Sequence, residues 1–352
     1  MKTFSKLLTL AVLAMTSLTS CEDILGHWER PTAATDSTPT PAPDPDPAPA
    51  SGDLATPLTL EAVSGTVTVT IKTDFATGKT IEYSTDDGAT WTEGTPSSGG
   101  ADIDACANPV TITGSKIMLR GTNAAYAEVF GGGMGINNTK IVCDADCYVY
   151  GNMMSLINKD NYATLTAFDT TEGGYAFYRL FDGNTHIKNH AEKKLLLPAT
   201  TLMPGCYQGM FNGCTALTQA PQLPAENLSG GCYQEMFNGC TALTTAPELP
   251  ATTLVPNCYQ SMFAGCTSLT TAPELPATML LAYSYNQMFQ NCTHLNSVTC
   301  YATDINAMYC LDNWLDGVAA TGTIKTKATM VNGAWTAGTN YPAAGWTNDN
   351  TL

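Results

Sequence analysis

Cys206-Tyr207-Gln208-Gly209-Met210-Phe211-Asn212-Gly213-Cys214-Thr215-Ala216-Leu217 leads into Ala220-Pro221-Gln222-Leu223-Pro224-Ala225 and Leu228, and the whole pattern then returns. Cys206, Cys232 and Cys258 each precede a Tyr at intervals of 26 residues. The Met-Phe pair recurs at Met236-Phe237, Met262-Phe263 and Met288-Phe289, and the second Cys at Cys240, Cys266 and Cys292. Leu-Pro-Ala-x-x-Leu begins at Leu197, Leu223, Leu249 and Leu275. A unit this small cannot bury its apolar face alone, so the period predicts a solenoid of units stacked on their neighbours. Positions 206/207, 210/211, 214 and 217 are spaced for a short helix with one buried face. Two prolines between 217 and 225 make the other half extended. An extended half plus a short helix is the unit of a leucine-rich repeat. The expected fold class is therefore α+β: a leucine-rich-repeat solenoid with 26-residue repeats, preceded by a small all-β domain. Proline in each unit removes a ladder donor and limits the regularity of any sheet.

Working outward, residues 1–20 carry the features of a signal peptide. Lys2 and Lys6 precede an apolar run, Leu7 to Leu18, too short to span a bilayer as a mature helix. Leu18-Thr19-Ser20-Cys21 resembles the lipobox of bacterial lipoproteins, which implies a lipidated Cys21 at the mature N-terminus. Acyl chains partition at about 0.8 kcal/mol per buried methylene, so such a cysteine anchors the chain without a transmembrane helix. Residues 21–53 are the anchor and its tether, with prolines at every second position from Pro39 to Pro49. They predict extended polyproline II at about 3.1 Å per residue, a spacer between membrane and folded part. Asp36-Ser37-Thr38 and Asp169-Thr170-Thr171 match a short O-glycosylation signal.

The formal net charge is −16, and removing Lys2 and Lys6 makes the mature chain more acidic still. Such a chain repels polyphosphate and anionic lipid, which disfavours nucleic-acid binding.

Residues 54–126 form the small β domain. Val67, Val69 and Ile71 alternate with threonines and Lys72 in the period of a strand with one wet face, and 81–83 and 116–120 are further strand candidates. Ser84-Thr85-Asp86-Asp87-Gly88-Ala89-Thr90-Trp91 between them resembles the Asp-box hairpin, in which Asp ties the turn and Trp packs back. Sialidases carry several such boxes; a single copy indicates a structural hairpin. Residues 127–175 are assigned to an N-terminal cap, 176–318 to the repeats (the first a degenerate unit from Phe177), and 319–352 to a C-terminal cap.

Eight cysteines occupy two phases of the repeat: Cys206, Cys232, Cys258 and Cys310, with Ser284 in the fourth slot, and Cys214, Cys240, Cys266 and Cys292. A cysteine recurring once per unit suits a small buried side chain in a column. An exported chain invites disulfides, and Cys143 and Cys147 are the expected pair.

Met-Phe-x-Gly-Cys-Thr-x-Leu-Thr with Leu-Pro-Ala-Thr-x-Leu resembles the BspA-like leucine-rich repeat surface proteins of Bacteroidota. The similarity continues through Ala302-Thr303-Asp304-Ile305, Cys310-x-x-x-Trp314-x-x-Gly317-Val318 and Gly345-Trp346-Thr347. It covers roughly the last two thirds of the chain. The resemblance implies an outer-membrane, surface-exposed lipoprotein, of a kind some of whose members bind host matrix proteins and promote adhesion. It transfers no ligand residue.

For chemistry, His186 and His190 are spaced to face one way on a helix, but no acid between them serves as a base, and no metal site is assigned. No nucleophile elbow or phosphate loop is present. The expectation is a non-enzymatic binding protein with no cofactor. Gln222, Glu248 and Glu274 form one polar column and Thr218, Thr244 and Thr270 another. The first is the candidate ligand-binding column, its two carboxylates suited to a basic patch on a protein partner. A glycan-binding lipoprotein of a polysaccharide uptake system, using exposed aromatics of the β domain, is the alternative. A glycan-degrading enzyme, favoured only by the Asp-box, is the third class.

Overall fold

A computed structural model of the chain describes residues 51–98, 102–130, 135–342 and 344–352. The signal peptide, the lipidation site Cys21, almost all of the tether and the triplet at Asp36 lie outside the described residues.

Eleven strands build the N-terminal half: β1 (Leu58–Ala62), β2 (Val67–Thr73), β3 (Ile81–Ser84), β4 (Thr92–Gly94), β5 (Val110–Gly114), β6 (Lys116–Gly121), β7 (Ala127–Phe130), β8 (Gly135–Cys143), β9 (Cys147–Asn152), β10 (Ile187–Asn189) and β11 (Leu195–Leu196). One sheet runs β10-β9-β1-β6-β3-β4, with β11 also on β9, and a second runs β5-β2-β8-β7. β2 alternates buried and half-buried positions along its length. Leu58, Leu60, Ile117, Leu119 and Val149 from the first sheet and Val67, Val69, Ile71 and Ile141 from the second are buried in one continuous core. Strands β8 and β9, assigned by sequence to a separate cap, pair with β2 and β1. The same core continues into the repeats, reaching Trp314 and Trp346.

The α+β leucine-rich-repeat solenoid is not what the chain forms. The described residues contain three open sheets, and no described helix exceeds four residues. Where the apolar spacing suggests a helix per unit, the backbone makes a ribbon of consecutive turns. Cys206, Gln208, Met210, Asn212 and Cys214 each donate their N–H three residues back, to Met203, Gly205, Tyr207, Gly209 and Phe211. The intervening Gly205, Tyr207, Gly209, Phe211 and Gly213 donate instead to Gly230, Cys232, Gln234, Met236 and Asn238 of the next unit, at 2.7–3.0 Å. Every N–H from 205 to 214 is thus satisfied without a helix. The cause is a left-handed residue at every fourth position: Gly205, Gly209 and Gly213 have φ of +58°, +61° and +71°. Each sits third in a turn closed by the residue after it, where a type II turn requires positive φ. A four-residue repeat brings apolar pairs inward almost as often as a 3.6-residue helix does. Over two turns the two periods cannot be told apart from apolar spacing.

Successive units lie in parallel register. Thr201 bridges Asn227, which bridges Thr253, and Gln219 bridges Thr245. Phe181, Phe211, Phe237, Phe263 and Phe289 form a column of rings 5.6–5.7 Å apart, within 9° of parallel. Tyr207, Tyr233, Tyr259 and Tyr285 form a second column. Gly209 leaves room for Arg179 to cross it: an added Cβ would meet Arg179 Cγ at 2.9 Å, and Arg179 reaches Glu235, two units away, at 2.7 Å. A third sheet, all parallel, closes the far end with β12 (Ser297–Cys300), β13 (Gly322–Thr326) and β14 (Trp346–Asp349). Trp314 stacks on the last Tyr of its column, and Trp346 Nε1 donates to Ala319 O at 2.7 Å. Among the described residues no helix is long and apolar enough to cross a membrane.

Candidate functional site

Gln222, Glu248 and Glu274 are exposed, in register at the 26-residue step, on the extended half of three consecutive units. Pro221 and Pro247 before them, and Leu223, Leu249 and Leu275 after them, are buried. Extended backbone turns alternate side chains in opposite directions, so the prolines and leucines anchor each segment while the polar residue between them points to solvent. The column is therefore held on a fixed backbone. Thr218, Thr244 and Thr270 are exposed beside it. Asn189 starts that ladder: its Oδ1 accepts from the N–H groups of Thr218 and Gln219, both at 2.9 Å. Thr244 Oγ1 then donates to Thr218 O at 3.2 Å, so the threonine hydroxyls serve the stack as well as the surface.

The cysteine columns are buried free thiols. Cys240, Cys266 and Cys292 donate Sγ–H to the carbonyls of Phe211, Phe237 and Phe263 at 3.0–3.1 Å. Burial pushes the Cys206, Cys240, Cys258 and Cys292 thiols up to about 12. The expected Cys143–Cys147 disulfide is replaced by two free thiols with sulfurs 3.2 Å apart.

His186 and His190 do not converge. His186 Nδ1 lies 3.2 Å from Asp146, whereas His190 Nδ1 accepts the N–H groups of Glu192 and Lys193 at 3.1 Å. β10 and the bend after it replace the helix that would have aligned them. Among the described residues no group of three His, Cys, Asp or Glu side chains is placed to hold a metal ion.

The Asp-box segment forms its hairpin. Asp86 accepts from Thr90 N and Oγ1 at 2.9 and 2.6 Å and from Ser84 Oγ at 2.7 Å, and these bonds, Thr90's first, hold its carboxyl down at about 2. Asp87 and Gly88 turn the chain at φ of +58° and +84°, and Trp91 Nε1 donates back to Gly88 O. Ser84, Asp86, Thr90 and Trp91 are thus bonded within the hairpin itself, while Asp87 pairs with Lys116 of β6 at 2.6 Å.

Two aromatics at the first sheet have cations over their rings. The Arg120 guanidinium lies 3.8 Å over the Trp91 ring, and Lys193 Nζ lies 4.4 Å over Tyr150. His190 packs edge-on to Tyr148 and Tyr150. Lys193 and Tyr150 both donate to Glu61, and they hold its carboxyl below the usual range. Trp91 and Tyr150 of this β domain thus already carry partners from the chain itself.

Sequence reasoning missed an aromatic pair elsewhere. Tyr283 and Tyr309 stand one unit apart on the turn ribbon, at the glycine phase, with φ of +58° and +52°. The clue was available: the same column reads Gly205, Gly231 and Asn257 in the earlier units. Comparison of the chain with protein-family models, with curated proteins and with solved structures finds no match.

Proposed function

We propose that this chain is a BspA-like surface lipoprotein whose stacked units present a binding face for protein partners, host matrix proteins among them. The observation that carries this reading is the exposed column Gln222, Glu248 and Glu274, set on rigid extended segments at a fixed spacing. The lipobox at Cys21 and the proline tether support the surface location. The repeat sequence and the closing Gly345-Trp346-Thr347 support the family.

Two carboxylates in one column, on a chain of net charge −16, select a basic patch through charge complementarity. Exposed charges are screened over about 8 Å at physiological salt, so the interaction weakens as salt rises. Binding to a panel of extracellular matrix proteins should fall with added salt and in the double variant Glu248→Lys/Glu274→Lys. Salt-independent binding, or full binding by that variant, places the site elsewhere.

A further inference from the structure

The turn ribbon offers a second surface, unrelated to the acidic column. Its left-handed positions suit Gly and Asn, and Tyr283 and Tyr309 pay a conformational cost to occupy them. Neither ring belongs to the buried columns. Tyr309 is 54% exposed, the neighbouring Met308 59%, and Tyr283 is half-buried. The rings stack on each other at 5.2 Å with a 35° tilt, unlike the parallel rings of the buried columns. Tyr309 opens a turn closed by Asp312 N, which donates to Tyr309 O at 3.4 Å. Asp312 and Asn313 are both exposed there, and Asn313 Nδ2 donates to Asp312 Oδ2 at 3.2 Å.

We propose that Tyr283 and Tyr309 form a stacking site for a neutral oligosaccharide. The face of a phenol ring is electron-rich and attracts the C–H-bearing face of a pyranose, while sugar hydroxyls remain free at its edge. The Asp312 carboxylate accepts from those hydroxyls, and the Asn313 amide both donates and accepts. Asp312 and Asp316 are exposed and the whole chain is acidic, which repels sulfated and uronic acid glycans. A protein partner needs a broad buried core, of order 1,000 Å². Apart from Met308, the neighbouring ribbon positions Gly231, Asn257 and Gln260 are small or polar.

The test uses the mature chain with cellohexaose, xylohexaose and mannohexaose as neutral probes and a heparin hexasaccharide as the anionic one. Saturation-transfer NMR and calorimetry should show at least one neutral hexasaccharide binding, and binding more tightly than the heparin fragment. The double variant Tyr283→Asn/Tyr309→Asn should lose at least about tenfold in affinity. Because Asn257 holds the same conformation in the same column, this variant is expected to fold with little change in melting temperature. A Tyr283→Gly/Tyr309→Gly variant repeats the test with the backbone strain removed. Absence of binding by all three neutral probes at about 10 mM, full binding by either double variant, tighter binding of heparin, or ring-dependent capture of a protein instead of a sugar would each overturn the proposal. Glu248→Lys/Glu274→Lys should leave sugar binding intact, which separates this site from the acidic column.

Discussion

At the scale of single residues, the repeat is a set of slots with strict chemistry. Ser284 fills the slot that Cys206, Cys232 and Cys258 occupy, fully buried, and its hydroxyl has no hydrogen-bond partner. A buried hydroxyl left unpaired costs about 1–3 kcal/mol, whereas a thiol behaves there as a small apolar group. Ser284→Cys should therefore raise stability, by about 1 kcal/mol, in urea unfolding; an unchanged or lower midpoint would show that Ser284 is paired. The thiols also set a pH limit. In the unfolded chain a thiol ionises near its ordinary value of 9.0, while burial holds Cys206, Cys240, Cys258 and Cys292 protonated to about 12. The unfolded state thus gives up protons first as pH rises. Stability should be present below pH 9.0 and decline between there and about 12, the loss steepening to at most about 1.4 kcal/mol per thiol per pH unit once the unfolded thiol is ionised. Urea midpoints compared at pH 8 and pH 10 measure this directly, and equal midpoints would disprove it.

At the scale of the element, the unit is held by what crosses between turns. Phe237 is fully buried, with Phe211 5.7 Å on one side and Phe263 5.7 Å on the other. Its truncation removes contacts in both directions and leaves a cavity that neighbours cannot fill without breaking the ring column. Phe237→Ala should cost about 3–5 kcal/mol, seen as a lowered melting temperature. An unmoved transition would mean that the units do not share one core. The turn ribbon was the part least legible beforehand. Its apolar pairs at 206/207 and 210/211 fit a helix and a four-residue ribbon equally well. What decides between them is the conformation of 205, 209 and 213. Their shared glycine in that unit is the signal, weakened by Glu235, Ser261 and Gln287 in the later ones.

At the scale of the whole molecule, one core runs from the sheets of residues 58–152 through the stacked units to Trp346. The proposed anchor at Cys21 would present that body away from the membrane on a proline tether. Palmitate labelling and globomycin-sensitive processing should both be abolished in Cys21→Ala, and survival of either would refute lipidation. The two proposed surfaces differ in kind: an acidic column on the extended segments and an aromatic pair on the turn ribbon.

The period, the buried Met-Phe and Cys positions and the polarity of the 222/248/274 column were legible from the sequence, because side-chain burial repeats with the chain and leaves a compositional trace. The strand at 67–73 was legible for the same reason, through its period of two, and 81–83 and 116–120 were strand candidates as short apolar segments. Only the tertiary structure decided that the apolar pairs lie on turns, since alternate N–H groups bond to a unit 25 residues away and no local spacing encodes that partner. It also decided that β9 joins the first sheet and β8 the second, and that Arg120 lies over Trp91 and Lys193 over Tyr150. Those are contacts between residues tens of positions apart, fixed by packing rather than by any pattern within one segment.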